Sequence, residues 1–276
     1  MSRIELKDVT VEFPIFSANS RSLKSAVLSA TTGGHVGRDR HNYVCVRALD
    51  QVSIDIQHGE RVGLVGHNGA GKTTLLRVIA GIYEPLQGSV VIDGTPTPMF
   101  DVSLGIDADA TGLENIVLRG LYMGLSKAEI LRKMDDVAGF TELGQFLDLP
   151  VRTYSEGMRA RLAFAMATCI EPDILLLDEG IGAGDAAFFE RANQRLESFI
   201  HSTGILVLAS HSEQLIRKFC NRIALMEHGQ IAWYGNLEEG YDRYHEAILA
   251  QPNPSAASAG EVSHPREPVT APAIRG

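Results

Sequence analysis

The chain has 276 residues, 45% of them hydrophobic and 21% charged, which is enough for one large folded domain and excludes a mainly disordered chain. Its 34 acidic against 25 basic side chains give a net charge of −9, which argues against nucleic acid as the main partner because phosphodiester backbones would be repelled. No stretch approaches the roughly 18 apolar residues of a membrane span, so any membrane role is expected to come through a partner.

The first predicted strands point to a small antiparallel layer. Residues 4–13 alternate apolar and polar side chains in the manner of a half-buried strand. Residues 53–57 and 89–94 are further strand candidates. Since a half-buried strand has one face on the core and one in solvent, these segments predict a small antiparallel sheet.

Three later apolar runs predict a different sheet. Residues 61–66, 173–179 and 204–211 are continuously apolar rather than alternating, which is typical of strands buried on both faces of a parallel sheet under helices. The runs end abruptly in glycine or polar side chains, namely Gly66, Asp178 with Glu179, and Ser210 with His211. Open α/β sheets bind ligands at the carboxyl ends of their strands, so these three ends predict one site.

The sequence GHNGAGKT, residues 66–73, predicts a phosphate-binding loop. It matches G-x-x-x-x-G-K-[ST], in which glycines let backbone N–H groups point at phosphate oxygens and the next helix adds its positive end. Lys72 is expected to reach the β- and γ-phosphates, and the Thr73 hydroxyl to ligate Mg²⁺. A glycine-rich turn without a ligand is the alternative, but the flanking strand and helix favour a bound nucleoside triphosphate. The predicted nucleotide contacts are Gly66, His67, Asn68, Gly69, Ala70, Gly71, Lys72, Thr73 and Thr74.

The middle of the chain predicts a mostly helical lobe over about residues 101–170. Thr111 and Glu114 have the capping-box spacing ahead of one segment with helical apolar periodicity. Ser126 and Glu129 have the same spacing ahead of the next such segment.

Two further strand ends predict groups for hydrolysis. Asp178 is expected to hold Mg²⁺ through water, and Glu179 to aim at an attacking water. A carboxylate pair alone could equally cap a helix, but its position after a phosphate loop favours the metal site. His211 is expected to contact the γ-phosphate or the water, although a histidine on its own is more often structural.

The stretch YSEGM, residues 154–158, indicates the class of NTPase. Ser155 stands 83 residues after Lys72 and 23 before Asp178, at the head of a predicted helix. ABC-transporter ATPases carry their LSGGQ-type signature at this place, and residues 1 to about 245 resemble that family. The resemblance implies an α/β P-loop NTPase core with a mostly parallel sheet, a small antiparallel β layer and a helical lobe.

The resemblance also implies residue roles and a dimer. GHNGAGKT corresponds to Walker A, and the other roles are Asp178 in Walker B, Glu179 as catalytic glutamate, His211 as switch histidine and Asp185 in the D-loop. In this family two ATP-binding subunits face each other head to tail, and each ATP lies between one Walker A loop and the opposite signature. Ser155 and the N–H of Gly157 would then bind the γ-phosphate held by the partner. A homodimer that binds ATP and Mg²⁺ is implied.

The signature departs from the family pattern at three positions. Tyr154 replaces Leu, Glu156 replaces the first Gly, and Met158 replaces Gln. Because Glu156 adds negative charge near a phosphate, its side chain is expected to point away. An ordinary helix start with Ser155 as its N-cap is the alternative interpretation.

The longer stretch YSEGMRARLAFA resembles one subfamily, the ATPases of polysaccharide and O-antigen exporters. Residues 13–28 resemble its N-terminal extension, and residues 104–116 its loop between lobes. The resemblance implies a peripheral subunit on the cytoplasmic face of the inner membrane, which powers export of a lipid-linked polysaccharide through a polytopic permease. O-antigen, capsule, teichoic acid and a cell-wall galactan all stay open as cargo. Some members add a polysaccharide-binding β-sandwich, which the short tail of this sequence is not expected to form, so cargo recognition is expected to rest mostly with the permease.

Three other functions fit the motifs less well. An importer or drug-exporter ATPase would carry a glutamine in the loop between lobes, yet no Gln lies between Gln87 and Gln145. A soluble ABC protein of translation or DNA repair usually has two cassettes or a long coiled coil, and neither is found here. A nucleotide kinase would leave YSEGM, GAGD at 182–185 and His211 unexplained.

Two positions keep several candidates. The residue that takes the place of the missing glutamine is one of Asp101, Asp107 and Asp109. The aromatic side chain that stacks on adenine is one of Phe13, Phe16 and Tyr43.

Two segments are expected to lie outside the core of a nucleotide-binding domain of residues 1–250. The insertion at about 17–47 is basic, with Arg21, Lys24, Arg38, Arg40 and Arg47 against Asp39. This excess charge could face anionic headgroups or a lipid-linked pyrophosphate, or it could belong to a solvated loop. Residues 251–276 are rich in Pro, Ala and Ser without periodicity, which predicts a disordered tail.

Overall fold

A computed structural model describes residues 1–14, 35–38, 44–100, 105–169, 172–178 and 186–250. The predicted tail, 251–276, and most of the predicted insertion at 17–47 lie outside these residues, so both stay predictions. Among the helices that are described, none is long and apolar enough to cross a membrane.

The described residues form ten strands and seven α-helices. The strands are β1 (Arg3–Pro14), β2 (His35–Arg38), β3 (Val44–Gln57), β4 (Arg61–Val65), β5 (Gln87–Asp93), β6 (Pro96–Met99), β7 (Ile174–Leu177), β8 (Ile205–Ala209), β9 (Arg222–Glu227) and β10 (Gln230–Asn236). The helices are α1 (Lys72–Ile79), α2 (Gly112–Tyr122), α3 (Lys127–Thr141), α4 (Glu156–Ala167), α5 (Ala186–Ser202), α6 (Glu213–Phe219) and α7 (Leu237–Ala250). Two 3₁₀ turns, Gly144–Asp148 and Val151–Thr153, lie between α3 and α4.

The predicted antiparallel layer is confirmed. Strands β2, β3, β1 and β5 pair in that spatial order, and every pairing is antiparallel. Ile4 of β1 lies between Ile56 of β3 and Ile92 of β5, so the apolar side chains of the three strands share one face. The β1 register shifts after Leu6, next to Asp8 with its positive φ of 49°, as expected of a β-bulge.

The predicted parallel sheet is also confirmed. Its six strands run in the order β10-β9-β4-β8-β7-β6, and only β10 is antiparallel to its neighbour. The three continuously apolar runs form its centre, where every residue of β7 and β8 is buried. The edge strand β6 was not predicted because two of its four residues are prolines, Pro96 and Pro98. Proline lacks the N–H that an inner strand must donate, but an edge strand tolerates it.

Helix α1 is buried between the two sheets. Leu75, Leu76 and Ile79 are at most 1% exposed and pack with apolar side chains of both sheets in one cluster. On the other face of the parallel sheet, Phe199 of α5 and Ile216 of α6 belong to a second cluster. The core is therefore a layered α/β arrangement in which the helix after GHNGAGKT is held on two sides.

Helices α2, α3 and α4 lie within the range predicted for the helical lobe, and both predicted capping boxes are confirmed. Thr111 Oγ1 accepts from the Glu114 N–H at 3.1 Å, while the Glu114 carboxylate accepts from the Thr111 N–H at 2.7 Å. Ser126 and Glu129 exchange the same two bonds at 3.3 and 2.8 Å. These bonds satisfy N–H groups that each helix start would otherwise leave unpaired.

A cluster of aromatic and charged side chains joins the lobe to α5. Phe188 of α5 is fully buried, and its ring centroid lies 5.4 Å from that of Phe140 and 6.2 Å from that of Phe164. The Arg195 guanidinium lies 4.5 Å from the centroid of Phe140 and donates to Asp136 of α3 at 2.6 Å. Apolar burial and an ion pair therefore attach α5 to the lobe together.

Replacing Phe188 by alanine should destabilise the protein strongly, because the ring leaves a cavity at this junction. We expect the free energy of unfolding, measured by urea titration, to fall by about 3–5 kcal/mol. The control is Phe146→Ala, since Phe146 is 54% exposed and its loss should cost less than about 1 kcal/mol. Similar losses for the two variants would contradict a central role for Phe188.

Candidate functional site

The three strand ends predicted to meet do lie side by side. Strand β8 is the middle strand, with Ala209 opposite Leu64 of β4 and Leu208 opposite Leu177 of β7. Gly66 and Asp178 directly follow β4 and β7, and His211 lies two residues beyond the end of β8. One edge of the parallel sheet thus carries the phosphate-loop sequence, a carboxylate and an imidazole.

The GHNGAGKT loop is a tight turn braced by neighbouring backbone. Gly69 and Gly71 have φ of 81° and 104°, a region that favours glycine. The Gly229 N–H donates to the Ala70 carbonyl at 3.0 Å. A Cβ on Gly71 would lie 2.7 Å from the carbonyl oxygen of Ala48 in β3, so only glycine fits this position without a shift of backbone.

Lys72 is the first residue of α1 and lies across the loop. Its side chain is buried, and Nζ donates to the carbonyls of Gly66 at 2.6 Å and His67 at 3.2 Å. Nζ also lies 3.5 Å from Nε2 of His211. Because an ammonium group only donates, His211 can accept this bond only through an unprotonated Nε2. The loop lysine and the histidine of the neighbouring strand therefore face the same space.

Two oxygen-bearing side chains at this edge of the sheet are of the type that suits Mg²⁺. Thr73 lies half-buried in the first turn of α1, and Asp178 lies half-buried at the end of β7. Over the described part of the chain, no cluster of three His, Cys, Asp or Glu residues is arranged for a metal. A Mg²⁺ site commonly does without such a cluster, because Mg²⁺ keeps several waters and takes one or two protein oxygens beside phosphate oxygens. Glu179 and Asp185 lie outside the described residues.

The YSEGM stretch forms an outward-facing helix start. Ser155 is the N-cap of α4, and its Oγ accepts from the Met158 N–H at 3.3 Å. Ser155, Glu156 and Gly157 are exposed, and a Cβ on Gly157 would meet no atom within 4 Å. The predicted cap therefore exists, and the same helix end presents N–H groups and a hydroxyl to the outside.

Tyr154, the first departure from the signature pattern, is a structural anchor. It is 4% exposed, and its hydroxyl donates to the Phe146 carbonyl at 2.6 Å. A Cβ on Gly112 would lie 2.5 Å from the Tyr154 hydroxyl oxygen, so the ring fits against α2 only because glycine is there. Burial raises the pKa of Tyr154. The aromatic residue therefore secures the signature on the lobe.

The loop before α2 is hydrogen-bonded to the segment before the signature. The Arg152 N–H donates to the Ala108 carbonyl at 2.7 Å, and the Arg152 guanidinium pairs with Asp109 at 3.1 Å. Asn115, 1% exposed, bonds both the N–H and the carbonyl of Asp107, at 2.8 and 2.9 Å. Sequence reasoning missed Asn115, although a polar residue on an apolar helix face is a usable signal.

The candidates for adenine and for the missing glutamine are only partly described. Phe13 is 37% exposed near the end of β1. Phe16, Tyr43 and Asp101 lie outside the described residues, whereas Asp107 and Asp109 make the contacts given above.

One arginine of the basic insertion is paired within the antiparallel sheet. Arg47 donates to Glu12 at 2.8 Å and to Asp50 at 3.0 Å, and the bond to Glu12 is the main cause that raises its pKa. Arg38 lies in β2, while Arg21, Lys24 and Arg40 are outside the described residues. The positive charge of Arg47 is therefore already compensated.

A groove of about 620 Å³ runs along α2 on the surface of the lobe. It is lined by Asp107, Asp109, Ala110, Leu113, Glu114, Val117, Leu118 and Met134. Leu118 is 46% exposed. The lining combines an apolar floor with acidic side chains.

Comparison with known proteins extends these findings. The family described as ABC transporter matches residues 49–182. The O-antigen export system ATP-binding protein RfbE of Yersinia enterocolitica is 46% identical over 231 residues, which are 84% of this chain and 97% of that protein. RfbB of Myxococcus xanthus, with the same description, is 36% identical over 93% of this chain and 59% of its own length. The teichoic acids export ATP-binding protein TagH of Staphylococcus haemolyticus is 35% identical over 89% of each chain.

A solved structure shares the fold. It is a dimeric ATP-binding cassette in a post-hydrolysis state with ADP and Pi, and it matches with a TM-score of 0.61 at 22% identity over 85% of this chain and 98% of that chain. At this level of identity the likeness shows the α/β fold alone.

Replacing Gly71 by alanine should distort the loop, because the new Cβ would clash with the backbone of β3. Gly81→Ala is the matched control, since Gly81 also has positive φ, +70°, but open space around it. We expect the control to lose about 1 kcal/mol of unfolding free energy in urea from backbone strain. Gly71→Ala should lose about 1–3 kcal/mol more from the clash. Equal losses would show that the loop does not need glycine for contact with Ala48.

Proposed function

The chain belongs to the ABC transporter family, and from that premise we propose that it is the ATP-hydrolysing subunit of an exporter for a lipid-linked polysaccharide. The single observation that carries this function is the exposed helix start at Ser155 in a chain that also holds a complete phosphate loop. A second copy placed head to tail would bring the helix start of each subunit to the phosphate loop of the other.

The proposed site divides binding and hydrolysis among its residues. Lys72 and the loop N–H groups hold the phosphates of ATP. Thr73 and Asp178 would hold Mg²⁺, which would supply positive charge that offsets the charge of the phosphates. Glu179 orients the attacking water, and His211 contacts the γ-phosphate from the end of β8. The roles of Glu179 and of the D-loop residue Asp185 are proposed from the sequence alone.

The remaining nucleotide contacts divide into those to the chain's own ATP and those to the ATP of the partner subunit. We propose Gly66, His67, Asn68, Gly69, Ala70, Gly71 and Thr74 as phosphate-loop contacts of the chain's own ATP. Ser155 and Gly157 would bind the ATP of the partner subunit. ATP binding would close the dimer, and hydrolysis would reopen it.

The cargo and the location are proposed from the relatives. Identity of 46% along nearly all of an O-antigen export protein supports a polysaccharide cargo, and similarity to a teichoic acid export protein keeps that cargo class broad. We place the protein at the cytoplasmic face of the inner membrane, as a homodimer bound to a polytopic permease. Its nucleotide-binding domain would span residues 1–250.

The groove along α2 is the proposed contact with the permease. Its apolar floor would bury apolar side chains of a cytoplasmic permease segment, and its carboxylates would favour a basic residue there. The groove shares Asp107 and Asp109 with the loop that is bonded to Arg152, immediately before the signature. A permease segment in the groove would therefore act directly on the segment that leads into Ser155.

The central test is Glu179→Gln in cells that lack the native gene. Loss of the carboxylate should lower ATP turnover at least about 100-fold, as expected for a group that activates water, while ATP binding persists. The variant should form an ATP-loaded dimer in sedimentation, and surface polysaccharide should not return. Lys72→Ala is the matched variant, and it should lose binding, dimer and export together. Near-normal turnover, or export restored by Glu179→Gln, would refute the assignment.

The proposed contact between the groove and the permease can be tested by placing a charged side chain in the apolar part of the groove. Leu118→Glu should reduce copurification with the permease and export by at least about tenfold, since a buried carboxylate opposes apolar contact. ATPase activity of the isolated subunit should stay unchanged. Leu131→Glu is the control, because Leu131 is also exposed, at 57%, but does not line the groove. If both variants copurify equally well with the permease, the contact lies elsewhere.

A further inference from the structure

His211, the histidine that faces Lys72, lies in a tightly bonded turn that leads into α6. The residue before it, Ser210, is 4% exposed, and the Ser210 Oγ accepts from the Ser212 N–H at 3.0 Å. Ser212 is the N-cap of α6, and its own Oγ accepts from the Leu215 N–H at 3.4 Å. Because the turn is bonded on both sides of His211, the position of α6 sets the position of the imidazole.

Helix α6 has little apolar burial to hold it in place. Of its seven described residues only Ile216 is buried, against Gly63 of β4, and Leu215 is 44% exposed. A helix of two turns is not stable by itself in water. The orientation of α6 therefore depends on the contacts that its polar side chains make.

Arg217 is the side chain that joins α6 to α7. Its guanidinium donates to Glu238 of α7 and to Glu213 in the first turn of α6, each at 2.7 Å. It also lies 4.6 Å from the ring centroid of Tyr241, a residue of α7 that is 2% exposed. The bonds to Glu238 and Glu213 raise the pKa of Arg217, because both carboxylates favour its charged form. One guanidinium therefore contacts three side chains on two helices.

Helix α7 gives this contact a fixed base. Leu237 and Tyr241 belong to the second apolar cluster, on the outer face of the parallel sheet. A Cβ on Gly240 would lie 2.1 Å from the Ile223 side chain and 2.6 Å from the Trp233 ring. This close approach leaves α7 no room to slide on β9 and β10, so the weaker attachment is that of α6.

We infer that Arg217 is a positioning residue for His211, through which α7 holds α6 and the imidazole in place for the γ-phosphate. The inference rests on the proposed function, in which His211 makes that contact. With Arg217 bound to Glu238, Nε2 of His211 stays 3.5 Å from Nζ of Lys72. Without this bond α6 is free to shift about Ile216, and the turn carries the imidazole with it.

The role predicts a larger effect on catalysis than on stability. The side chains of Arg217 and Glu238 are 37% and 70% exposed, and exposed ion pairs contribute little to folding. A misplacement of about 1 Å, by contrast, can lower a rate up to about 100-fold. Loss of Arg217 should therefore shift the melting temperature by less than about 4 °C. It should act on kcat and leave KM for ATP within about twofold, because the phosphate loop is unchanged.

The test is ATP hydrolysis by the purified full chain, with slow variants measured in a single turnover. Arg217→Met and Glu238→Ala should each lower kcat about threefold to tenfold. Arg217→Lys keeps the charge but not the paired bonds, so its kcat should lie between those of Arg217→Met and the wild type. The emission of Trp233, the one tryptophan of the chain, should not change, because α7 stays docked.

Arg222→Met is the matched control. Arg222 also bonds a glutamate, Glu60, at 3.0 Å and lies over a tyrosine, with 6.0 Å to the ring centroid of Tyr234. It is the first residue of β9, at the end of the parallel sheet opposite the phosphate loop. This variant should keep the wild-type kcat, and a loss equal to that of Arg217→Met would contradict the inference.

A second change, His211→Ala, separates an effect through the histidine from a general one. In a chain that already carries His211→Ala, Arg217→Met should lower kcat by less than about 1.5-fold further, because the group that it positions is gone.

Three results would overturn the inference. One is an unchanged kcat in both Arg217→Met and Glu238→Ala. Another is an equal loss from Arg217→Met with and without His211→Ala, which would place the effect elsewhere. The third is wild-type turnover in His211→Ala itself. Failure of the export function would look different, since the wild type would then restore no surface polysaccharide while the effect of Arg217 on turnover remained.

Discussion

The parallel pairing of β8 with β4 on one side and β7 on the other is the constraint on which the site depends. This register brings Gly66, Asp178 and His211 to one edge of the sheet. Helix α6 packs tightly against the outer face of this sheet, because a Cβ on Gly63 of β4 would lie 2.6 Å from the Ile216 side chain. A shift of one residue in either pairing would both break this packing and separate Lys72 from His211. The same close packing that stabilises the core therefore sets the geometry of the candidate site.

Helix α5 connects that edge of the sheet to the lobe. Along the chain it follows the segment that begins at Asp178, and it is held by Phe188 and Arg195 against α3 and α4. The Arg195 guanidinium also donates to Thr168 Oγ1, at 2.9 Å, just beyond the end of α4. The Arg195 side chain therefore connects α5 both to the end of α4 and to α3, whose Met134 lines the groove.

Patterns with a local physical cause were predicted well from sequence. The capping pairs are of this kind, as are the continuous apolar runs and the glycines of the phosphate loop, because each is decided by residues a few positions apart. Strand β6 was missed since its prolines are tolerated only at a sheet edge, and edge position is a property of the whole fold.

The charge of Glu156 illustrates how a departure from a family pattern can be accommodated. As the first residue of α4, Glu156 lies at the positive end of the helix dipole, which favours a carboxylate by about 0.3–1 kcal/mol. Glutamate also has a better helix propensity than glycine, by roughly 0.5–1 kcal/mol. Repulsion from a phosphate about 10 Å away in water is only about 0.4 kcal/mol per unit charge, and the exposed side chain is free to turn outward. The favourable terms therefore match or exceed the repulsion, and in the proposed dimer the Ser155 hydroxyl and the Gly157 N–H would still be available to a phosphate of the partner subunit.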